Sequence, residues 1–374
     1  MKPRLKKAFH VGKPNIPNKE KLLSKFSEVL ENEWLTNNGP LVQEFENKIK
    51  QYLGVKHCIC VCNATIGLEL LQRALDLQGE VIIPSFTFIS TANSLRWQKI
   101  RPVFCDIKED THLIDTDLIE ELITEKTSAI LAVPIWGQPC NYSVLEKIAK
   151  KYSLKLIFDS AHAFGCKSGD AFIGGFGDAE VFSFHATKAF SSGEGGAITT
   201  NSDELAEKLR YMRNFGFDGF DKTVRLGTNA KMSEFAAAYG LVSIDELQSV
   251  INHNTEIYKG YIKQFSQFNE IEILKYSEHD YSNHQYAVAH VQANYRDNLV
   301  QHFHDNNILV RRYFYPGCHR LEPYKSDHSY NNTQLPNTEN VASKVIVLPT
   351  GYQLDKKGMK KIFDVYASFL EQKK

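Results

Sequence analysis

The chain has 374 residues, of which 43% are hydrophobic, 24% charged and 11% aromatic, proportions typical of a globular protein rather than a disordered or fibrous one. Its 44 basic and 44 acidic residues cancel, which argues against a nucleic-acid binder that depends on a basic excess. No apolar run approaches the roughly 20 residues of a membrane-spanning helix, and no apolar segment follows the basic start at 1–7, so we expect no secretory signal.

The first half of the chain alternates short apolar runs with stretches of helical periodicity. We predict helices at 18–33, 41–53, 65–77, 86–98, 115–123 and 142–151, with a turn at 34–40. We predict strands at 57–61, 80–83, 102–106, 128–133, 155–159, 179–184 and 197–200. This alternation predicts an α/β fold with a mostly parallel seven-stranded sheet covered by helices on both faces.

The pattern changes after residue 202. We predict helices at 203–215 and 233–251 and then a smaller α+β section with strands near 272–274, 284–291 and 345–348. Residues 216–229 are glycine-rich and predict a functional loop, whereas 277–284 and 327–338 predict exposed loops. Because the length exceeds what one core usually fills, we expect a large domain at 40–250 and a small domain formed by 1–39 and 251–374.

The seven cysteines indicate a structural role for this residue type. Their number is odd, and no two form a C-x-x-C pair. Cys58, Cys60 and Cys62 alternate, so on a strand they point to one face and pack as small apolar residues. We therefore expect neither disulfides nor a zinc site, and a reducing cytoplasm fits this pattern.

Polar residues follow several of the predicted strands, where ligands of an open parallel sheet bind. Asn63-Ala64-Thr65 opens a helix whose free N–H groups suit a phosphate, although Asn63 or Thr65 would serve equally as a simple helix cap. Phe88 follows the next strand and either stacks on a planar ligand or belongs to the core. Asp159 ends an apolar strand, where it meets a cationic partner or caps the next turn.

Lys188 lies between two apolar strands, beside three glycines that permit close approach of a ligand. A lysine in partly dry surroundings is a good nucleophile because desolvation favours its neutral amine. A phosphate site, an aromatic ring, a carboxylate and this amine together form the set that binds pyridoxal phosphate (PLP). The chain lacks the G-x-x-x-x-G-K-[ST] and G-x-G-x-x-G patterns, which argues against an NTPase or a dinucleotide enzyme.

These segments resemble the nucleotide-sugar aminotransferases of the DegT/DnrJ/EryC1/StrS family, which are fold-type-I PLP enzymes. The resemblance rests on Asp-x-x-His at 159–162 and on Ser-Phe-x-x-x-Lys-x-x-x-x-Gly-Glu-Gly-Gly at 183–196. It extends from 34–40 to 315–319. It implies a homodimer with shared active sites that uses L-glutamate as the amino donor.

The resemblance also implies roles for individual residues. Lys188 would bind the cofactor covalently and transfer the proton, Asp159 would meet the ring nitrogen, and His162 would lie near the ring hydroxyl. Phe88 would stack on the ring. The residues implied at the phosphate are Ala64, Thr65, Ser183 and, from a neighbouring subunit, Asn229. Many members carry Arg two residues after this asparagine, where this chain has Lys231.

Two further segments, 185–188 and 312–320, resemble enzymes that act at C4 of dTDP-4-keto-6-deoxyglucose. His185, Tyr315 and His319 are the implied substrate-binding residues. The alternative within the family is a C3 aminotransferase acting on a dTDP-3-keto-6-deoxy sugar. A remote alternative is a metal-dependent hydrolase that uses Asp159, His162 and His185, although their spacing matches no common metal motif.

Overall fold

The computed structural model describes residues 8–372. Its helices are α1 (Lys19–Glu31), α2 (Pro40–Leu53), α3 (Ala64–Ala74), α4 (Ile89–Trp97), α5 (Ile119–Leu122), α6 (Tyr142–Lys151), α7 (Asp203–Arg213), α8 (Glu234–Phe265), α9 (Ala293–Asp305), α10 (Pro336–Lys344) and α11 (Lys356–Glu371). Its strands are β1 (Phe9–His10), β2 (His57–Val61), β3 (Glu80–Pro84), β4 (Arg101–Cys105), β5 (Thr127–Ala132), β6 (Lys155–Asp159), β7 (Lys167–Ser168), β8 (Ala171–Phe172), β9 (Ala179–Ser183), β10 (Gly196–Thr200), β11 (Ile271–Ile273), β12 (Ala287–Val291), β13 (Ile308–Leu309) and β14 (Val345–Leu348). No helix within the described range is both long and apolar enough to cross a membrane.

The central sheet has seven strands in the order β2-β10-β9-β6-β5-β3-β4. Only β10 runs antiparallel to its neighbours, so the prediction of a mostly parallel seven-stranded sheet is confirmed. Alternating side chains of each strand enter two cores, one on either face. On β2, Ile59 and Val61 pack into one core and Cys58 and Cys60 into the other, since successive strand residues point to opposite faces.

Helix α8 continues well beyond the predicted end at residue 251. It has 32 residues. Its buried side chains up to Ile251 belong to a core of the central sheet, whereas those from Ile257 onward belong to a third core, which includes side chains of β11, β12 and β14. The polar residues that follow Ile251 look like a helix end in the sequence. Asn254 is nevertheless buried, because its amide donates to the Asn283 carbonyl and accepts from the Gly351 N–H. Tertiary partners therefore satisfy a side chain that sequence pattern alone assigns to solvent.

The C-terminal third holds three helices that the sequence pattern did not predict, α9, α10 and α11. Helix α9 packs on β14 and α10 on β12, while α11 packs against α8 and α9. Helix α10 begins inside 327–338, a segment that we expected to be an exposed loop. Thr338 is instead fully buried, because its N–H and hydroxyl both donate to Asp106, each at 2.7 Å. A second correction concerns 115–123, where a single helical turn, α5, forms.

The segment before α2 contacts both halves of the molecule. Strand β1 pairs with β13, whereas Val29 of α1 packs into the core beneath the central sheet. The boundaries proposed for the two domains therefore stay a prediction. What matters for the site is that β12, the loops near residue 315 and the central sheet meet around the carboxyl ends of β6 and β9.

Candidate active site

The carboxyl ends of β6 and β9 meet at one edge of the central sheet. Asp159 ends β6 and pairs with Val181 of β9, which ends two residues later at Ser183. Lys188 follows in the loop before β10, and its backbone N–H donates to the His185 carbonyl at 2.9 Å. This turn brings Lys188 close enough to Asp159 for the charge of each to influence the pKa of the other.

Asp159 is a buried carboxylate with two donors. It is 6% exposed, and it accepts from the Thr91 hydroxyl at 2.7 Å and from the Ala161 N–H at 3.3 Å. Burial raises the pKa of Asp159, and the Thr91 bond, the Lys188 charge and the Ala161 N–H oppose that rise. The carboxyl therefore needs a cationic partner to carry its negative charge at low cost.

Lys188 has the electrostatics of a reactive amine. Burial lowers its pKa from 10.5 to about 8, and the nearby Asp159 carboxylate opposes this fall. Burial has the larger effect on the pKa, because the hydration that the ammonium group loses stabilises it more than the attraction of one carboxylate does. A substantial fraction of Lys188 is therefore neutral, and so nucleophilic, in mildly alkaline solution.

His162 lies in an aromatic cage at the same edge. Its ring stacks against Trp136 and Phe314, with centroid distances of 6.0 and 5.9 Å. Nδ1 accepts from the Trp136 backbone N–H at 3.2 Å, and Nε2 is 3.5 Å from the Tyr286 hydroxyl. Burial lowers the pKa of His162, and the Lys188 charge lowers it further, so the ring is neutral near pH 7.

The first turn of α3 lies beside the start of β10. Asn63 caps the helix through its side chain, which leaves Ala64 and Thr65 as the first N–H groups of the helix. A Cβ atom on Gly196 would come within 2.8 Å of the Ala64 nitrogen. Gly196 pairs with Ser183, so the predicted phosphate residues of α3 and β9 share one location. Such an N-terminus favours an anion.

Two predicted site residues are exposed beside these groups. Phe88 immediately precedes α4 and is 58% exposed, which leaves its ring free to cover a planar ligand. His185 lies on the Lys188 turn, and its Nδ1 is 2.8 Å from the Thr187 hydroxyl. Within residues 8–372 no three His, Cys, Asp or Glu side chains are grouped to hold a metal ion.

Tyr315 and Asn229 are also exposed, and each belongs to a surface segment. The Tyr315 ring lies between two guanidinium groups, at 4.6 Å from Arg296 and 5.2 Å from Arg312. Asn229 closes the loop 216–229, and its backbone bridges to Asn214. No contact within the described residues joins either side chain to Lys188. Substrate binding by Tyr315 and phosphate binding by Asn229 therefore stay predictions.

His319 has a different environment from the one expected of a substrate-binding residue. It is 3% exposed, its Nδ1 is 2.7 Å from the Ser85 hydroxyl and its Nε2 is 3.0 Å from Glu339. Both ring nitrogens therefore have partners within the chain. His319 therefore links the loop after β3 to α10, and its substrate-binding role stays a prediction.

Several residues of the site escape sequence reasoning. Thr91 of α4 binds Asp159, and the Thr87 hydroxyl, which precedes the helix, lies 3.0 Å from it, so no helical spacing in the sequence marks Thr91. Trp136, Tyr286 and Phe314 pack around His162 from three distant parts of the chain. No local sequence pattern predicts such a cage, because it forms only when these distant segments pack together.

The comparisons with known proteins agree with this fold. Residues 17–366 match the model of the DegT/DnrJ/EryC1/StrS aminotransferase family. The chain is 36% identical over 353 residues to a protein of Shigella dysenteriae named dTDP-4-amino-4,6-dideoxy-D-glucose transaminase, covering 94% of this chain and 96% of the relative. The chain therefore belongs to the DegT/DnrJ/EryC1/StrS aminotransferase family, and it is an aminotransferase.

Solved structures give the same result in three dimensions. The crystal structure of DesI in the presence of its TDP-sugar product superposes with a TM-score of 0.92 at 40% identity, covering 97% of this chain and 93% of that one. The PLP form of the putative sugar aminotransferase Spr1654 from Streptococcus pneumoniae superposes with a TM-score of 0.90 at 25% identity, over 98% of this chain and 99% of the other. The α/β fold predicted from the sequence is thus confirmed.

Proposed function

We propose that this protein transfers the amino group of L-glutamate to the C4 keto group of a nucleotide-linked 4-keto-6-deoxy sugar, with PLP as cofactor. The substrate is dTDP-4-keto-6-deoxy-D-glucose, and the product is dTDP-4-amino-4,6-dideoxyglucose. The observation that carries the proposal is the proximity of Lys188 and Asp159 in one crevice, where burial lowers the pKa of the amine and raises that of the carboxyl.

The residues of the crevice fit PLP group by group. Asp159 is a buried carboxylate whose donors leave it in need of a cation, as a protonated ring nitrogen would be. The N–H groups of Ala64 and Thr65 at the start of α3, with Ser183 beside them, suit the phosphate. Phe88 offers an exposed ring to stack on the pyridine.

When bound, PLP supplies an aldehyde that joins to amines and a ring that takes up the electrons of the broken C–H bond. Asp159 favours this uptake because it keeps the ring nitrogen protonated. With the cofactor in place, the neutral Nζ of Lys188 would take the proton from the α-carbon of the amino donor and return it to the cofactor carbon that carries the amine. In the second half-reaction Nζ would move a proton in the opposite direction, from that carbon to C4 of the sugar.

The loop 216–229 supports the proposal of a homodimer with shared sites. Phe220 is 96% exposed and Leu226 is 75% exposed, which is an unusual surface for apolar side chains. Leu226 also lines a pocket of about 320 Å³ together with Trp97, which is 81% exposed. A second copy would cover these residues and bring Asn229, on the same loop, towards the phosphate of its neighbour.

The substrate proposal draws on the relative from Shigella dysenteriae and on the exposed side of the crevice. His185 and Tyr315 are accessible, and Arg312 beside Tyr315 is an exposed cation for a diphosphate, although it now pairs with Asp297. The seven cysteines are unpaired, and we place the protein in a reducing cytoplasm.

A panel of keto-sugar nucleotides tests the proposal: 4-keto and 3-keto sugars carried on dTDP, UDP and GDP, each with L-glutamate. Mass spectrometry and NMR of the products identify the carbon that receives nitrogen. We expect turnover to be fastest with the dTDP 4-keto sugar. Preference for a 3-keto sugar would favour the C3 alternative, and absence of amination across the panel would refute the proposal.

A further inference from the structure

Trp136 adopts a backbone conformation that is rare for a bulky residue. Its φ is +61°, and the following Gly137 has φ +85°, where a Cβ atom would approach the Cys166 sulfur to 2.8 Å. A non-glycine residue is held in the left-handed region only where the surrounding structure demands it. Here this conformation directs the Trp136 N–H at Nδ1 of His162, at 3.2 Å.

The indole of Trp136 is held in turn by a pair of histidines. Its Nε1–H donates to Nδ1 of His112 at 2.9 Å, and Nε2 of His112 lies 2.8 Å from Nε2 of His290. His112 is 1% exposed and also has a positive φ, of 62°. His290 lies on β12, so the histidine pair links the sheet β11-β12-β14 to Trp136, whose backbone N–H contacts His162.

The donors in this network fix the position of each proton. The indole and backbone N–H groups of Trp136 only donate, so Nδ1 of both His112 and His162 must be unprotonated. The proton of neutral His112 therefore lies on Nε2 and is donated to His290, whose own proton lies on Nδ1. The proton of neutral His162 likewise lies on Nε2, the nitrogen that faces the Tyr286 hydroxyl.

We propose that His112 and His290 are positioning residues that, through Trp136, hold His162 as a neutral ring with its proton on Nε2. In that form the Nε2–H of His162, which lies 3.5 Å from the Tyr286 hydroxyl, could also donate to an oxygen substituent of the bound cofactor ring. The inference rests on the proposed function, because it assigns the cofactor as the acceptor. Neither His112 nor His290 contacts the crevice in this arrangement; both act through the indole.

The electrostatics of the network agree with this protonation state. Burial lowers the pKa of His112, and the neighbouring His290 lowers it further. Burial also lowers the pKa of His290, while Glu272 and Glu109 favour its proton and Lys344 opposes it. A second proton on His112 would have to occupy Nδ1, where it would meet the indole N–H.

Long-range ¹H–¹⁵N spectra of ¹⁵N-histidine-labelled protein test the proton positions directly. The wild-type protein is measured without and with PLP, and single substitutions assign the signals. We expect His112 and His162 to show a protonated Nε2 and an unprotonated Nδ1 near pH 7. A proton on Nδ1 of either ring would overturn the proposal.

Two substitutions of one residue separate positioning from mere packing. Asn at position 112 places an amide oxygen near the site of Nδ1 and can still accept from the indole, whereas Leu cannot. We expect His112→Leu to weaken PLP binding about tenfold and to leave His162 in a mixture of tautomers, because a buried donor loses its acceptor. His112→Asn should stay within about threefold of wild type.

The outcomes are distinguishable from failure of the proposed function. Equal PLP affinity and an unchanged His162 spectrum in a folded His112→Leu protein would overturn the relay. If His112→Leu does not fold, the wild-type spectrum and His112→Asn decide. If the wild-type protein does not bind PLP at all, the proposed function fails, while the tautomers of the cofactor-free protein still decide whether the network exists.

Discussion

The two sides of the crevice differ in how their residues are held. On the cofactor side, Asp159 and His162 are each 6% exposed and are fixed by hydrogen bonds or stacked rings from the same chain. On the open, substrate-facing side, Tyr315 is 47% exposed and His185 is exposed too. The buried groups are held by partners from one chain, whereas the exposed side chains belong to surfaces that, in our proposal, the substrate and a second copy cover.

This difference follows from what each side must do. A group that tunes one cofactor benefits from a fixed position in a region that excludes water, where electrostatic interactions are strong. Under the proposed function, a surface that admits glutamate and then a bulkier sugar nucleotide has to stay open between the two half-reactions. Variants on the two sides should therefore fail in different ways.

The largest effect is expected for Lys188→Ala, on the cofactor side. Removal of Nζ should reduce transamination about a thousandfold or more, because the side chain both attaches the cofactor and moves the proton. Circular dichroism and turnover with glutamate measure fold and activity. Lys151→Ala, which removes a surface lysine paired with Glu120, serves as the control and should retain activity. Near-normal turnover by Lys188→Ala would contradict the proposed mechanism.

Asp159→Asn should reduce turnover about a hundredfold, since an amide cannot stabilise a protonated ring nitrogen. Thr91→Val, which removes the donor 2.7 Å from Asp159, should cost about tenfold, whereas Thr91→Ser keeps the hydroxyl and should stay near wild type. Steady-state kinetics of the three variants give the ranking. Equal activity of Thr91→Val and Thr91→Ser would show that this hydrogen bond does not matter.

Leu226→Asp examines the open side, where we propose that a second copy covers the loop. A charge in the interface should weaken self-association about tenfold or more, and activity should fall as the protein is diluted. Analytical ultracentrifugation measures the equilibrium. Leu23→Asp, at an exposed leucine of α1, is the matched control. A wild-type protein that is monomeric and fully active at all concentrations would refute the shared site.

The smallest effect is a pH shift. Lys188 is protonated and unreactive below its pKa of about 8, so the rate at which PLP attaches to cofactor-free protein should rise through that pH and level off above it. Because Asp159 raises the pKa of Lys188, Asp159→Asn should move the midpoint down by about one pH unit. Stopped-flow absorbance measures both profiles. A midpoint that stays unchanged in the variant would contradict the coupling.

Sequence reasoning predicted the parts of this molecule that depend on short-range pattern. The central strands, Asp159 at the end of β6, Lys188 between β9 and β10, and a helix predicted from 65 and observed from Ala64 follow from periodicity and from the rule that ligands bind at strand ends. This set of residues pointed to PLP, and the family resemblance then implied a role for each of them.

The features that the sequence did not predict depend on contacts between distant segments of the chain. Asn254 continues α8 because partners from two loops satisfy its amide, and His319 is buried because Ser85 and Glu339 enclose it. The Trp136 network joins residues 112, 136, 162 and 290, which no local pattern relates. Such contacts are set by tertiary packing, which overrides local propensity.

The central claim is that Lys188 carries PLP, and peptide mapping after borohydride reduction tests it most directly. Reduction fixes the cofactor to the amine that holds it, and mass spectrometry of the digested protein identifies the labelled peptide. We predict a single modification, on the peptide that contains Lys188. Modification of a different lysine, or none in protein saturated with PLP, would contradict the account.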